Sequence, residues 1–132
     1  MSVDVRWGVE KHVIQTTIGG NISIEELTDC AKATFSLLDA APYVHSIIDF
    51  GQLKHYPPLN ELIKLRAFFS HPHLGWVIII SNDKTINFFS MLVGSLNNRM
   101  RIFATMEQAL AFLIEHDPSF AYPETLAIPE LA

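Results

Sequence analysis

Asp49 is the residue of this chain best placed for chemistry. It ends the apolar run Val44-His45-Ser46-Ile47-Ile48, and open α/β sheets keep their ligand crevice outside the carboxyl ends of strands. Ser81, Asn82, Asp83 and Thr105 follow two further apolar runs and should end neighbouring strands on the same edge. The same residue types also cap helices and turns, so Asp49, Asp83 and Thr105 each carry a structural reading beside the functional one. His45 falls on the strand face of Asp49, and such a pair could pass a proton; a buried imidazole satisfied by one hydrogen bond is the plainer reading. His71-Pro72-His73 has a two-ligand spacing, with His55 a third imidazole upstream. No Cys, Asp or Glu in the local sequence completes a ligand set, so a Pro-bounded loop with exposed histidines accounts for them and no metal is expected. Cys30 is the one cysteine. It sits beside Leu27, Ala31 and Phe35 on a helical stripe, where a thiol is buried and unactivated. Gly19-Gly20 has neither the third glycine nor the lysine of a phosphate loop, so no nucleotide cofactor is implied.

The elements that must position these groups follow from periodicity. Val3, Val5, Trp7 and Val9 alternate with Asp4, Arg6 and Gly8, the signature of a strand with one wet face. Glu10 and Lys11 separate it from a second strand, His12 to Ile18, close enough for an antiparallel hairpin, and Gly19-Gly20 should stop that strand. Ser23 with Glu26 three residues on is a capping box, followed by Leu27, Ala31, Phe35 and Leu38 at helical spacing, which predicts a helix to about Ala40. Val44 to Phe50 reads as a central strand. After Gly51 a loop, Gln52 to Pro58, leads into a second helix at about Leu59 to Ser70. Trp76-Val77-Ile78-Ile79-Ile80 is short and apolar throughout, as a parallel strand covered on both faces must be. Asp83 caps a third helix, Lys84 to Asn97; Met100 to Ala104 is a short last strand; Thr105 with Gln108 caps a fourth helix to about Glu115. The order β-β-α-β-α-β-α-β-α implies parallel pairing through right-handed crossovers, with a hairpin at one edge. One domain is expected over 1–117, with a surface tail over 118–132.

Composition narrows the function classes. At 132 residues the chain fits a single core that buries roughly two thirds of the surface exposed when unfolded. Hydrophobic residues make up 49% against 17% charged, which excludes disorder and leaves apolar surface for an interface. A net charge of -5 without any Lys/Arg cluster gives phosphate backbones no purchase, so nucleic acid is not an expected partner. No apolar run approaches the roughly 20 residues of a membrane helix, and residues 1–10 lack the order of a secretory signal, so a cytoplasmic protein is expected.

From Val3 to Glu115 the chain resembles the SpoIIAA-like, or STAS, domains, in particular the small stand-alone bacterial STAS/SEC14-like proteins. The likeness lies in the layout, in Ser23-Ile24-Glu25-Glu26-Leu27, in Ile47-Ile48-Asp49-Phe50 and in the closing Thr105-Met106-Glu107-Gln108-Ala109-Leu110-Ala111-Phe112-Leu113. It implies an α/β SpoIIAA-like fold, an N-terminal antiparallel hairpin joined to a mainly parallel sheet packed with about four helices. It also implies a non-enzymatic regulatory or binding module acting through protein contact. In the anti-sigma-factor antagonists of this family a Ser or Thr just after the third strand is phosphorylated, at a helix start that tolerates negative charge. Here no Ser or Thr occurs between Ile47 and Phe69, so that switch is not carried over.

In the third helix, Ile86, Phe89, Leu92, Val93 and Leu96 form a core stripe about 120° wide, counted at 100° per residue, and Phe88 and Met91 fall outside it in a patch next to Ser95. That patch suits a protein partner, a second copy of the chain or an apolar ligand, or else burial under a tail carrying Phe120, Tyr122 and Leu126. The expected binding set is therefore Asp49, Phe50, Gly51, Tyr56, Asn82, Asp83, Phe88 and Met91. It would serve a protein partner or homodimer; the alternative, implied by the SEC14-like resemblance, is a small-molecule or lipid site lined by Phe50, Tyr56, Phe88 and Met91. An enzyme using Asp49, His45 or His55 as acid and base lacks a nucleophile or metal.

Overall fold

A computed structural model describes residues 2–69, 71–94 and 99–117. Five strands form one sheet in the order β1-β2-β3-β4-β5: β1 (Ser2–Val9), β2 (Val13–Asn21), β3 (Val44–His55), β4 (Leu74–Ile80) and β5 (Met100–Phe103). The β1/β2 pair is antiparallel and the others are parallel. The helices are α1 (Ile24–Leu38), α2 (Leu59–Leu62) continued by a 3₁₀ segment Ile63–Phe69, α3 (Lys84–Gly94) and α4 (Met106–His116). The N-terminal hairpin turns without Asn-Gly by placing Lys11 at φ 63 and closing on a His12 amide to Val9 carbonyl bond of 2.9 Å.

Alternation within β4 divides the core. Val77 and Ile79 pack with α1, the 3₁₀ segment and α3, whereas Ile78 and Ile80 pack under α4, and all four are at most 4% exposed. The pentapeptide Trp76–Ile80 is thus covered on both faces, which is why it shows no polar alternation. Side-chain caps set the starts of α1 and α4: Ser23 and Glu26 bond each other's backbone amides at 3.1 and 2.9 Å, and the Thr105 side chain accepts from the Gln108 amide at 3.2 Å.

Four expectations are corrected. Gly19-Gly20 does not stop β2, and Gln52 to Pro58 is not wholly loop: β3 runs on to His55, pairing Gly19 with Gln52, Gly20 with Leu53 and Asn21 with His55. The glycines serve irregular pairing on either side of them, with Gly20 at φ 70, a conformation open to a residue without a Cβ. The second helix is one α turn followed by 3₁₀ winding. On α3 the buried side runs through Ile86, Phe89 and Ser90 while Leu92 is 37% exposed. Ser90 can take a core position because its hydroxyl bonds the Ile86 carbonyl at 2.8 Å. Leu96, Ser95, the side chain of Val93 and the tail from 118 onward lie outside the described residues.

Candidate functional site

At the carboxyl edge of the sheet, the Tyr56 hydroxyl donates to Asp83 Oδ1 at 2.8 Å, joining the segment after β3 to the start of α3. The same oxygen accepts from the Thr85 and Ile86 amides at 2.9 and 3.0 Å, so Asp83 is the N-cap of α3 as well as the partner of Tyr56. These bonds, the Ile86 amide foremost, hold the Asp83 carboxyl below its ordinary value. Desolvation raises Tyr56 above its ordinary value, with the hydrogen bond and charge of Asp83 adding to it and Thr85 opposing it. Asn82 is exposed beside them. Asp49 ends up apart from this pair: its Oδ1 accepts from the Gly51 amide at 2.8 Å, a local turn that a Cβ on Gly51 would crowd at 3.0 Å.

One helical turn further on, Phe88, Met91 and Leu92 are 51%, 66% and 37% exposed. They fall within about 100° of one another around the helix and form an apolar patch leading away from the Tyr56 and Asp83 pair. Phe88 and Met91 therefore point to the surface, whereas Phe50 and Tyr56, grouped with them from the sequence, line an interior cavity.

That cavity, about 90 Å³, lies between the sheet and the layer formed by α1, α2, the 3₁₀ segment and α3. Ile18, Leu27, Ile48, Leu62 and Phe89 are among its walls, and among the described residues no charged side chain lines it. Thr16, 2% exposed, also lines it, and its Oγ1 has no hydrogen-bond partner among the described residues. Thr34, another wall residue, has its hydroxyl committed to the Cys30 carbonyl at 3.0 Å. Cys30 faces the same space, and burial pushes its thiol up to about 11, leaving it protonated and unreactive at neutral pH. Thr16 was not distinguished by spacing in the sequence. Its signal is a hydroxyl between Ile14 and Ile18 on one strand face.

His45 is 1% exposed, and its partner is not Asp49 but Asp117, whose Oδ2 lies 2.7 Å from Nε2. Its Nδ1 accepts the Trp76 amide at 2.9 Å, so Nε2 carries the proton and the ring is neutral. Desolvation lowers its pKa despite the pull of Asp117. Gly75 makes room for this arrangement: a Cβ there would lie 2.7 Å from His45 Nδ1 and 2.9 Å from Tyr43 Cζ.

His71 and His73 do gain a carboxylate, Asp39 at the end of α1, which their local sequence did not offer. As the rings stand, hydrogen bonds take up both nitrogens of His71 and one of His73. His71 Nδ1 accepts the His73 amide, so its Nε2 holds the proton that bonds Asp39 at 2.9 Å. His73 Nδ1 donates to the Leu38 carbonyl at 2.8 Å. The trio clasps the C-terminus of α1 to the start of β4.

No protein-family model and no curated protein matches the chain. Solved structures do. An uncharacterised Shewanella loihica PV-4 protein of the DUF3478 family with a SpoIIAA-like fold aligns at TM-score 0.60 and 14% identity over 85% of this chain and 92% of that one. The anti-sigma factor antagonist SpoIIAA in its unphosphorylated form aligns at 0.58 and 13% identity, covering 86% and 97%. The Bacillus cell fate determinant SpoIIAA in the phosphorylated form aligns at 0.54 and 15%, covering 85% and 99%. The chain has a SpoIIAA-like fold. The hairpin edge, parallel core and four helices expected from the sequence are those of that fold. No helix among the described residues is long and apolar enough to cross a membrane.

Proposed function

We propose that this chain is a non-catalytic STAS-like regulatory module that acts through protein contact, with the exposed Phe88, Met91 and Leu92 of α3 as its contact surface. The observation that carries the reading is that patch: three large apolar side chains in water on one short helix, where a single exposed one would need no explanation. It continues from the Tyr56 and Asp83 pair, which anchors the helix start and gives the patch a polar border. The SpoIIAA structures supply the precedent of an antagonist that works on another protein. The absence of Ser and Thr between Ile47 and Phe69 argues against a copied phosphorylation switch at that place.

Three of the groups that could serve an enzyme are already occupied. His45 uses both ring nitrogens in structural bonds, Cys30 is held as a thiol, and Asp49 is tied to the Gly51 amide. The test is Phe88→Asp with Met91→Asp, two exposed positions whose change should leave the fold intact. Sedimentation velocity and pull-down from the source lysate should show loss of self-association or of a captured partner. Identical profiles for the wild type and the double variant would overturn the reading.

A further inference from the structure

We propose that the cavity between the sheet and the helical layer is a binding site for a small, uncharged, largely hydrocarbon molecule carrying one hydroxyl or carbonyl, with Thr16 Oγ1 as its hydrogen-bond partner. A buried hydroxyl without a partner is costly and uncommon in folded proteins. Thr16 keeps one at 2% exposure on the wall of an open space. Valine would fill the same position without the unmet hydrogen bond, so the hydroxyl makes physical sense as half of a bond that a ligand completes. Ser46, on the same sheet face and opposite Ile14 in register, adds a second hydroxyl to the wall.

The walls set the ligand's class. A carboxylate or phosphate would sit buried with no cation lining the cavity, at a cost that one hydroxyl does not offset. Water filling the space is poorly served, because beyond the hydroxyls of Thr16, Thr34 and Ser46 the wall is mostly hydrocarbon and a buried water typically makes about three hydrogen bonds. At 90 Å³ the space is smaller than the ~150 Å³ cavity known to take benzene. The ligand is therefore at most ring-sized, and the half-buried Phe35, Phe50 and Tyr56 yield to admit it.

The inference stands apart from the contact surface on α3 and is read by a different experiment. Phenol, benzene and benzoate are titrated into the wild type, Thr16→Val and Thr16→Ser while the methyl NMR signals of Ile18, Leu27 and Ile48 are followed. The wild type should bind phenol saturably, about five- to tenfold more tightly than benzene, and benzoate not at all. Thr16→Val should remove the preference for phenol and Thr16→Ser should keep it. No saturable shift with phenol, equal affinity for phenol and benzene, or a preference that survives in Thr16→Val would each overturn the proposal.

Discussion

The two faces of the sheet are closed in different ways. Under α4, ring contacts and fixed polar pairs add to an aliphatic cluster that includes Ile47, Ile78, Leu110 and Leu113. Trp76 meets Phe112 edge-on at 4.8 Å, Phe112 stacks on His116 at 4.0 Å, and Arg101 lies over Trp76 at 5.0 Å. At the end of α4, Asp117 reaches back to His45 within the sheet. The opposite face is covered by α1, α2, the 3₁₀ segment and α3, yet it holds a cavity and an unsatisfied hydroxyl. More covering elements have not produced denser packing, since interlocking side chains, and not the number of helices, decide density. The face under α4 is closed by fixed contacts, whereas the other keeps space beside a buried hydroxyl.

The largest effect should come from the α4 face. His45→Ala removes a fully buried ring and strands the Trp76 amide and the Asp117 carboxylate, and urea unfolding should show a loss of about 3 kcal/mol. A pH series sharpens the same point. The folded chain holds His45 neutral with a lowered pKa, whereas the unfolded chain takes up a proton near 6.5. The unfolded state thus binds more protons below that value, so the stability from His45 is fully present above 6.5 and declines as the pH falls through it towards the lowered folded value. Subtracting the profile of His45→Ala from that of the wild type should isolate this decline. Parallel profiles would show that His45 is not the group holding this face.

A smaller change of opposite sign is expected across the sheet. In the ligand-free protein, Thr16→Val removes a buried hydroxyl that bonds nothing among the described residues, and the variant should be more stable by about 1 kcal/mol. Loss of stability would mean that the hydroxyl is already satisfied and that the open face is as structural as the other.

The sequence revealed these faces unequally. The covered strand Trp76–Ile80, the capping box at Ser23 and the Thr105 cap were legible because each depends on residues within a few positions of one another. The prolongation of β3 to His55 was not, since it exists only by pairing with Gly19–Asn21, and glycines read locally as an end. The buried Ser90 and exposed Leu92 reverse their ordinary preferences through a helical hydrogen bond and the direction of packing. The partners Asp117 for His45 and Asp39 for His71 lie 72 and 32 residues away, beyond any spacing rule. The cavity is a gap among residues drawn from β2, α1, β3, α2, the 3₁₀ segment, β4 and α3, and no local pattern encodes a gap.

The smallest effect concerns the edge where the two layers meet solvent. Asp83 is held below its ordinary value of 3.8 first by the Ile86 amide, with Tyr56 and Thr85 adding to it. If the pair is mainly a cap, Asp83→Ala should cost about 1 kcal/mol and Tyr56→Phe only about 0.5 kcal/mol. The carboxylate's contribution is present above 3.8 and lost as the pH falls through the lowered folded value, a window well separated from that of His45. NMR titration of the Asp83 carboxyl in Tyr56→Phe should therefore show only a modest rise. A return to 3.8 would make the tyrosine, not the helix start, the principal hold on this carboxylate, and would turn the end of β3 into the element that positions α3 and its exposed patch.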